Sequence, residues 1–380
     1  MTKKISKYVY FFGNGKAEGT ASMKDLLGGK GANLAEMTSI GLPVPPGFTI
    51  STEACDYFSK HNGAYPEGMK EEVLLNLKQL EKTMNAKLGD NENPLLVSVR
   101  SGAAQSMPGM MDTVLNLGLN PDSVEALIKK TGNERFAWDS YRRFIQMFGD
   151  VVMGVPHDKF EEAIQDVKDE EGITFDNELT TEMLQNLVKR YKRIYKRVTH
   201  EEFPVDPYDQ LFKAIDAVFR SWNNARAIKY RQMNDIRGLL GTAVNVQSMV
   251  FGNMGETSGT GVAFTRDPAT GDNHFYGEYL MNAQGEDVVA GIRTPQSIET
   301  LCKVNPKVYE QLCGIRETLE KHYHDMQDME FTIQEGKLYM LQTRSGKRTI
   351  FSWLRSQVEM VEEGLIDKQP AVSRVPAAAF

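Results

Sequence analysis

Along residues 24–58, "KDLLGGKGANLAEMTSIGLPVPPGFTISTEACDYF", the apolar positions pass from a helical rhythm to a strand-like one. Leu34, Met37 and Ile40 recur at helical spacing, Gly41 suits a helix C-cap, and a proline-rich connector leads to a short strand and a capped second helix. Residues 66–87 predict another amphipathic helix, and the β-branched run "PLLVSVR" at 94–100 predicts a buried strand. Between about 119 and 205 the texture changes. "RFAWDSYRRFIQMFGDVV", "HDKFEEAIQDVKDEEG" and "TTEMLQNLVKRYKRIYKRV" are charged, helically periodic and without strand candidates, which predicts a helical insertion. A helix over 207–228 leads into "GTAVNVQSMVFG", and strand-like segments dominate to about 345, interrupted by one helix over 306–323. The second half therefore reads as α+β with an antiparallel sheet. From 350 onward the chain starts as a helix and ends Pro/Ala-rich without a core pattern, which reads as a linker cut short.

Composition adds boundaries. At 380 residues the chain can hold two or three structural units, and 41% hydrophobic with 25% charged residues is a globular balance. The 44 basic and 51 acidic residues leave a net charge of −7, which argues against nucleic acid or an anionic membrane as a partner. An anionic ligand then requires positive charge concentrated locally. Cys55, Cys302 and Cys313 lack CxxC spacing and fit a reducing compartment, the cytoplasm by default. No stretch approaches about 18 apolar residues, and the first residues are too broken for a signal peptide, so no membrane role is expected.

Five segments carry candidate chemistry. Gly28, Gly29, Lys30 and Gly31 precede a helical pattern, where free backbone N–H groups, the helix dipole and the lysine would favour an anion; a Gly-rich turn with a solvated lysine is the alternative. Arg100 ends a strand and is followed by "SGAAQSMPGMMDT", a loop poor in bulky polar residues that either simply turns or lies close to a phosphate. In "FGNMGETSGTGVAFTRDPATG", Gly255, Gly259 and Gly261 would let a hairpin loop fold over a ligand, with Thr257, Ser258 and Thr260 as hydroxyl donors; an ordinary flexible hairpin is the alternative. In "DMEFTIQEGKLYMLQTRSGKR", Asp328 and Glu330 share one strand face and could hold Mg²⁺ through carboxylate oxygens, and Gln342 and Arg344 share a face after the turn. With a three-residue loop, 330 opposes 342 and 328 opposes 344; a two-residue loop would break that alignment. Glu286 and Asp287, after a glycine, could bind a nucleoside hydroxyl or a metal, or be plain turn residues. None of the six histidines sits in a turn suited to a nucleophile, and no GxSxG, Cys–His or HExxH pattern occurs.

Taken together, "LLGGKGANLAEM", "LLVSVRSGAAQSMPGMMDTVLNLG", "GTAVNVQSMVFGNMGETSGTGVAFTRDPATG", "GEYLMNAQGEDVVAGIRTPQ" and "DMQDMEFTIQEGKLYMLQTRSGKRT" closely resemble the N-terminal nucleotide-binding region of the pyruvate, phosphate dikinase family, over about residues 8–349. The resemblance implies an α+β ATP-grasp fold in which two lobes sandwich ATP and a helical insertion decorates the first. On that basis the first lobe takes residues 1–118 completed by 206–242, the insertion 119–205, the second lobe 243–348, and 349–380 starts a linker. In that family ATP phosphates pass to a histidine on a swivelling domain, phosphate accepts one to release pyrophosphate, and the phosphohistidine then phosphorylates pyruvate. Carried over by motif, the resemblance implies that Lys30, Arg100 and Arg344 act on the ATP phosphates. It further implies that Thr260, Gly261 and Gln342 contact the nucleotide, that Glu286 lies in the nucleoside pocket, and that Asp328 and Glu330 hold Mg²⁺. It also implies a homodimeric full-length enzyme, in which a monovalent cation is a further candidate. A phosphohistidine turn of the type "GGMTSHAAV" does not occur in these 380 residues, so the chain by itself is expected to bind MgATP without completing a turnover. A nucleotide-sensing module and a dikinase related to the phosphoenolpyruvate synthases are the alternatives.

Overall fold

The computed structural model describes residues 6–290 and 293–374, with Glu286, Val289 and Ala290 described through their backbone alone. The chain divides into two compact units, residues 1–40 with 45–249 and residues 41–44 with 250–380.

In the first unit a six-stranded sheet has the order β2-β1-β3-β8-β6-β7. Its strands are β1 (Val9–Gly13), β2 (Lys16–Ala17), β3 (Gly47–Ile50), β6 (Val97–Gly102), β7 (Thr113–Leu117) and β8 (Ala243–Ser248); β4 (Lys87–Leu88) and β5 (Pro94–Leu95) form a separate short pair. Alternation along the central strands divides the two faces. Phe48, Ile50, Val97, Val99, Val244 and Val246 line an apolar face, while Thr49, Asn245 and Arg100 form a cross-strand row on the other. Helix α1 (Lys24–Ser39) packs on the polar face, and α2 (Thr52–Lys60), α3 (Met69–Met84) and α8 (Pro207–Ser221) also pack against the sheet. A short helix α9 (Ala225–Met233) follows α8, so the single helix expected over 207–228 is broken at 222–224, where the Asn224 side chain caps α9 by accepting the Ala227 N–H at 2.7 Å.

The expected insertion is helical throughout its regular structure: α4 (Pro121–Thr131), α5 (Glu134–Met147), α6 (His157–Glu171) and α7 (Thr181–Thr199). Helix α4 starts at a capping box, in which Asn120 accepts from the Ser123 N–H and Ser123 accepts from the Asn120 N–H, both at 2.8 Å. It stops at Gly132 in the left-handed region. Helix α5 packs on both α7 and β7, so the insertion shares the first unit's core.

The second unit holds a five-stranded antiparallel sheet of order β11-β10-β9-β12-β13. Its strands are β9 (Gly259–Phe264), β10 (Tyr276–Met281), β11 (Gln296–Ser297), β12 (Gln327–Gln334) and β13 (Lys337–Ser345). The short helices α10 (Gly285–Ala290) and α11 (Leu301–Val304) precede α12 (Pro306–Tyr323), the helix expected over 306–323. Helix α12 covers the face bearing Met329, Phe331, Ile333 and Met340, each fully buried.

Two boundaries differ from the sequence reading. The division at 243 would give β8 to the second unit, yet β8 is bonded on both edges to β3 and β6, so the first unit runs to Met249. Gly41–Val44 joins the second unit, where the Met340 N–H donates to the Pro43 carbonyl at 2.8 Å. The segment expected to start as a helix and pass into a linker is packed against the second unit as far as Arg374. It forms α13 (Ile350–Glu362), capped by Thr349, and α14 (Lys368–Arg374). Met360, Ile366 and Ala371 pack with Met326 in one apolar cluster. Arg266, with no exposed side-chain surface, pairs bidentately with Glu320 at 3.0 Å and reaches Glu359 and Glu363 of that segment.

Candidate functional site

The sequence candidates fall into two clusters, one in each unit. In the first, Arg100 does not end its strand as expected: it is paired with Thr113 on one side and Asn245 on the other, and β6 continues past it to Gly102. The Gly-rich turn docks there. Helix α1 is kinked at Gly28, whose φ of 67° and ψ of 168° lie in a region essentially reserved for glycine, and a Cβ on Gly28 would stand 1.8 Å from the Gly102 carbonyl oxygen. The Gly29 N–H donates to the Ala103 carbonyl at 2.9 Å. That amide is therefore committed to the protein, unlike the free donor expected ahead of the helix. The Lys30 Cβ lies 3.4 Å from the position of a Cβ on Gly102, which brings Lys30 and the end of Arg100's strand together. Both cationic side chains are half-buried.

The loop after β6 is anchored at several points. Met107 is buried at 5% exposure, its carbonyl accepts the Met110 N–H, and Asp112 pairs with Arg226 at 2.8 Å. Burial pushes the Asp112 carboxyl above its ordinary value, which Arg226 partly opposes.

In the second unit the hairpin β12–β13 sets the face. Its turn has two residues, Glu335 and Gly336, both left-handed with φ of 48° and 77°. By itself that turn would pair Glu330 with Leu341. A β-bulge between Glu330 and Phe331 absorbs Leu341 and shifts the register by one, so Glu330 opposes Gln342 and Asp328 opposes Arg344. The four polar residues share one face, by a route the sequence reading had not considered. Arg344 Nε donates to Asp328 Oδ2 at 2.6 Å, and its Nη2 lies 4.0 Å from Glu330 Oε1. The Asp328 side chain is 8% exposed and that of Glu330 36%.

Two carboxylates two residues apart, one buried and one half-open, fit the hard-oxygen chemistry of Mg²⁺, which takes one or two protein carboxylates and completes its shell with phosphate oxygens and water. Among the described residues no group of three or more His, Cys, Asp or Glu is placed to hold a metal by itself, so such an ion would need ligand oxygens from elsewhere.

The remaining candidates are placed differently from the loop picture. Strand β9 begins at Gly259, so Thr260 and Gly261 belong to the sheet. Thr260 is on the Asp328 face, 4% exposed, and donates to the Phe331 carbonyl at 3.1 Å. Gly261 is on the opposite face, where a Cβ would stand 2.5 Å from the Phe331 ring. Ser258 anchors the preceding loop by accepting the Glu335 N–H at 2.9 Å. Glu286 belongs to α10, and its side chain lies outside the described residues. Asp287 accepts the Gln284 N–H at 2.8 Å, a local helix-start contact.

One residue of the first cluster escaped the sequence reading. Asn245 lies in β8 directly between Thr49 and Arg100. The visible signal was the alternation "AVNVQS", which places Asn245 and Gln247 on a face that most central strands would fill with apolar groups.

A family model described as "Pyruvate phosphate dikinase, AMP/ATP-binding domain" matches residues 24–69, 64–309 and 300–364. Among curated proteins, the chain is 57% identical over 374 residues to the chloroplastic pyruvate, phosphate dikinase of Mesembryanthemum crystallinum, covering 98% of this chain and 39% of that protein. It is 57% identical over 377 residues to the pyruvate, phosphate dikinase of Clostridium symbiosum, covering 99% of this chain and 43% of that one. It is 55% identical over 388 residues to the enzyme of that name from Rhizobium meliloti (strain 1021), covering 99% and 43%. The chain thus spans about two fifths of the length of these relatives. No helix among the described residues is long and apolar enough to cross a membrane. With matches of this extent over both α+β units, the chain belongs to the pyruvate, phosphate dikinase family, and its fold is of the ATP-grasp type.

Proposed function

We propose that this chain binds MgATP and serves as the phosphotransfer portion of a pyruvate, phosphate dikinase, whose overall reaction converts ATP, phosphate and pyruvate to AMP, diphosphate and phosphoenolpyruvate. The observation that carries the proposal is the bulged hairpin, which gathers Asp328, Glu330, Gln342 and Arg344 on one face of the second unit's sheet. Phosphoryl transfer needs charge neutralisation and positioning more than covalent chemistry from the protein. Lys30, Arg100 and Arg344 supply the cationic groups, and Asp328 and Glu330 would hold Mg²⁺, which when bound neutralises phosphate charge. Arg344 has a double part. While paired it holds the Asp328 carboxylate in place, and its 41% exposed guanidinium can also meet a phosphate. Thr260, Gln342 and Glu286 complete the proposed nucleotide contacts; Gly261, on the opposite face under the Phe331 ring, is not among them. The partners proposed are ATP, phosphate and the swivelling phosphohistidine domain of the full-length enzyme, in the cytoplasm.

Calorimetry tests the binding step. Arg344→Ala and Arg100→Ala should each weaken MgATP affinity at least tenfold, about 1.4 kcal/mol or more, and unchanged affinity in both would overturn the site. Labelled ATP with a separately supplied phosphohistidine domain tests the transfer step. Formation of an acid-labile phosphohistidine is expected, and binding without transfer would reduce the chain to a nucleotide-sensing module.

A further inference from the structure

Asn245 stands at the centre of β8 with 1% of its surface exposed. Its Oδ1 accepts the Thr49 hydroxyl at 2.8 Å, while Nδ2 has no hydrogen-bond partner among the described residues. Two glycines make room for this carboxamide. A Cβ on Gly31 would stand 2.9 Å from Asn245 Oδ1, and a Cβ on Gly102 would stand 2.8 Å from Nδ2. The same Gly102 position is 3.4 Å from the Lys30 Cβ, and Asn245 is the direct cross-strand neighbour of Arg100. The idle donor therefore lies on the side of the residue where Lys30's turn meets Arg100's strand. A buried amide donor without an acceptor is unfavourable, and an aliphatic side chain, like its neighbours Val244 and Val246, would fill the slot without that cost.

We propose that Asn245 is a positioning residue of the phosphate site: its carboxamide spaces the Gly28–Gly31 turn from β6, setting Lys30 against Arg100, and its idle Nδ2–H donor is taken up when an oligophosphate is bound there. This rests on the reading of Lys30 and Arg100 as nucleotide phosphate ligands. A residue that only filled space would affect every ligand of the unit alike. One that sets the phosphate end affects oligophosphates and spares the nucleoside.

The test uses the intact chain with three probes in calorimetry: MgATP, inorganic tripolyphosphate and adenosine. Asn245→Ala, which removes the spacer, and Asn245→Asp, which keeps its shape and removes the donor, should each weaken MgATP and tripolyphosphate about tenfold or more. Adenosine affinity should stay within about twofold of the unsubstituted chain. Oligophosphate affinity unchanged in both variants, or an equal loss for adenosine, overturns the proposal. If neither variant folds, the unsubstituted chain still decides. The Asn245 side-chain amide resonance, identified by its proximity to the Thr49 methyl, should shift on saturation with tripolyphosphate and not with adenosine, and an unmoved resonance overturns the proposal. Should the unsubstituted chain bind neither MgATP nor tripolyphosphate, it is the nucleotide reading itself that fails.

Discussion

Gly28→Ala separates the turn that carries Lys30 from the strand that carries Arg100. The new Cβ would stand 1.8 Å from the Gly102 carbonyl oxygen and 2.5 Å from its carbon. Both are backbone atoms of a central strand, so no side chain can rotate out of the way. Ordinary contact begins near 3.4 Å, and the turn must therefore retreat by about 1.6 Å. Alanine also enters a backbone region that costs about 1–3 kcal/mol. The retreat breaks the 2.9 Å hydrogen bond from Gly29 to Ala103, worth about 1 kcal/mol. Together these come to about 3 kcal/mol, or roughly 10 °C in the melting temperature of a unit of this size. Lys30 moves with the turn, so MgATP affinity should fall at least tenfold, about 1.4 kcal/mol. Gly15→Ala is the control. Gly15 also has a positive φ, 71°, but no described residue lies within 4 Å of its added Cβ, so backbone strain alone applies, about 1 kcal/mol. Thermal melting and calorimetry on both variants check the difference. If Gly28→Ala is no more destabilising than Gly15→Ala and binds MgATP as tightly as the unsubstituted chain, the docking of the turn on β6 does not set the position of Lys30.

Three further outcomes follow from the packing. Arg266→Ala leaves Glu320, Glu359 and Glu363 without their shared cation and should cost on the order of 3 kcal/mol. Hydrogen exchange should rise across 350–362, whereas an unchanged exchange pattern would mean that the apolar cluster alone seats α13. Burial alone would raise the Glu363 carboxyl, but hydrogen bonds and charge from Arg266 hold it below its usual value. A carboxyl lowered in the folded state contributes stability above its unfolded pKa. That contribution should be lost as pH falls below about 4.5, and urea titrations should show the loss in the unsubstituted chain and not in Arg266→Ala. Among the thiols, burial pushes Cys55 up to about 11, while Cys302 is exposed. A thiolate-directed reagent at pH 8 should modify Cys302 in the folded chain and reach Cys55 only after unfolding, as peptide mass mapping would show.

Local signals sufficed for many of the regular elements, though not for the break between α8 and α9. The helix over 306–323 was legible because its apolar spacing, the Asn305 cap and Pro306 at its first turn all act within one segment. The polar faces of β12 and β13 were legible because side chains alternate with a period of two. The alignment of those faces was not. It depends on whether an extra residue is taken up in the turn or in the ladder, and the chain uses a two-residue turn with Leu341 as the bulge, a choice made by cross-strand hydrogen bonding. The place of β8 was hidden for a related reason. An apolar strand can join either sheet, and only its ladders to β3 and β6 assign it to the first unit. The segment after 349 read as a linker because its pattern lacks a core of its own, and the contacts that seat it come from Met326, Glu320 and Arg266 far away in sequence. The same holds for Asn245. Sequence showed a polar residue in a central strand, and only the convergence of Thr49, Gly31 and Gly102 on its carboxamide revealed what it faces. Periodicity and capping are properties of neighbouring residues and can be read along the chain. Register, strand partnership and the fate of a buried polar atom are properties of segments brought together in space, and the tertiary structure alone decided them.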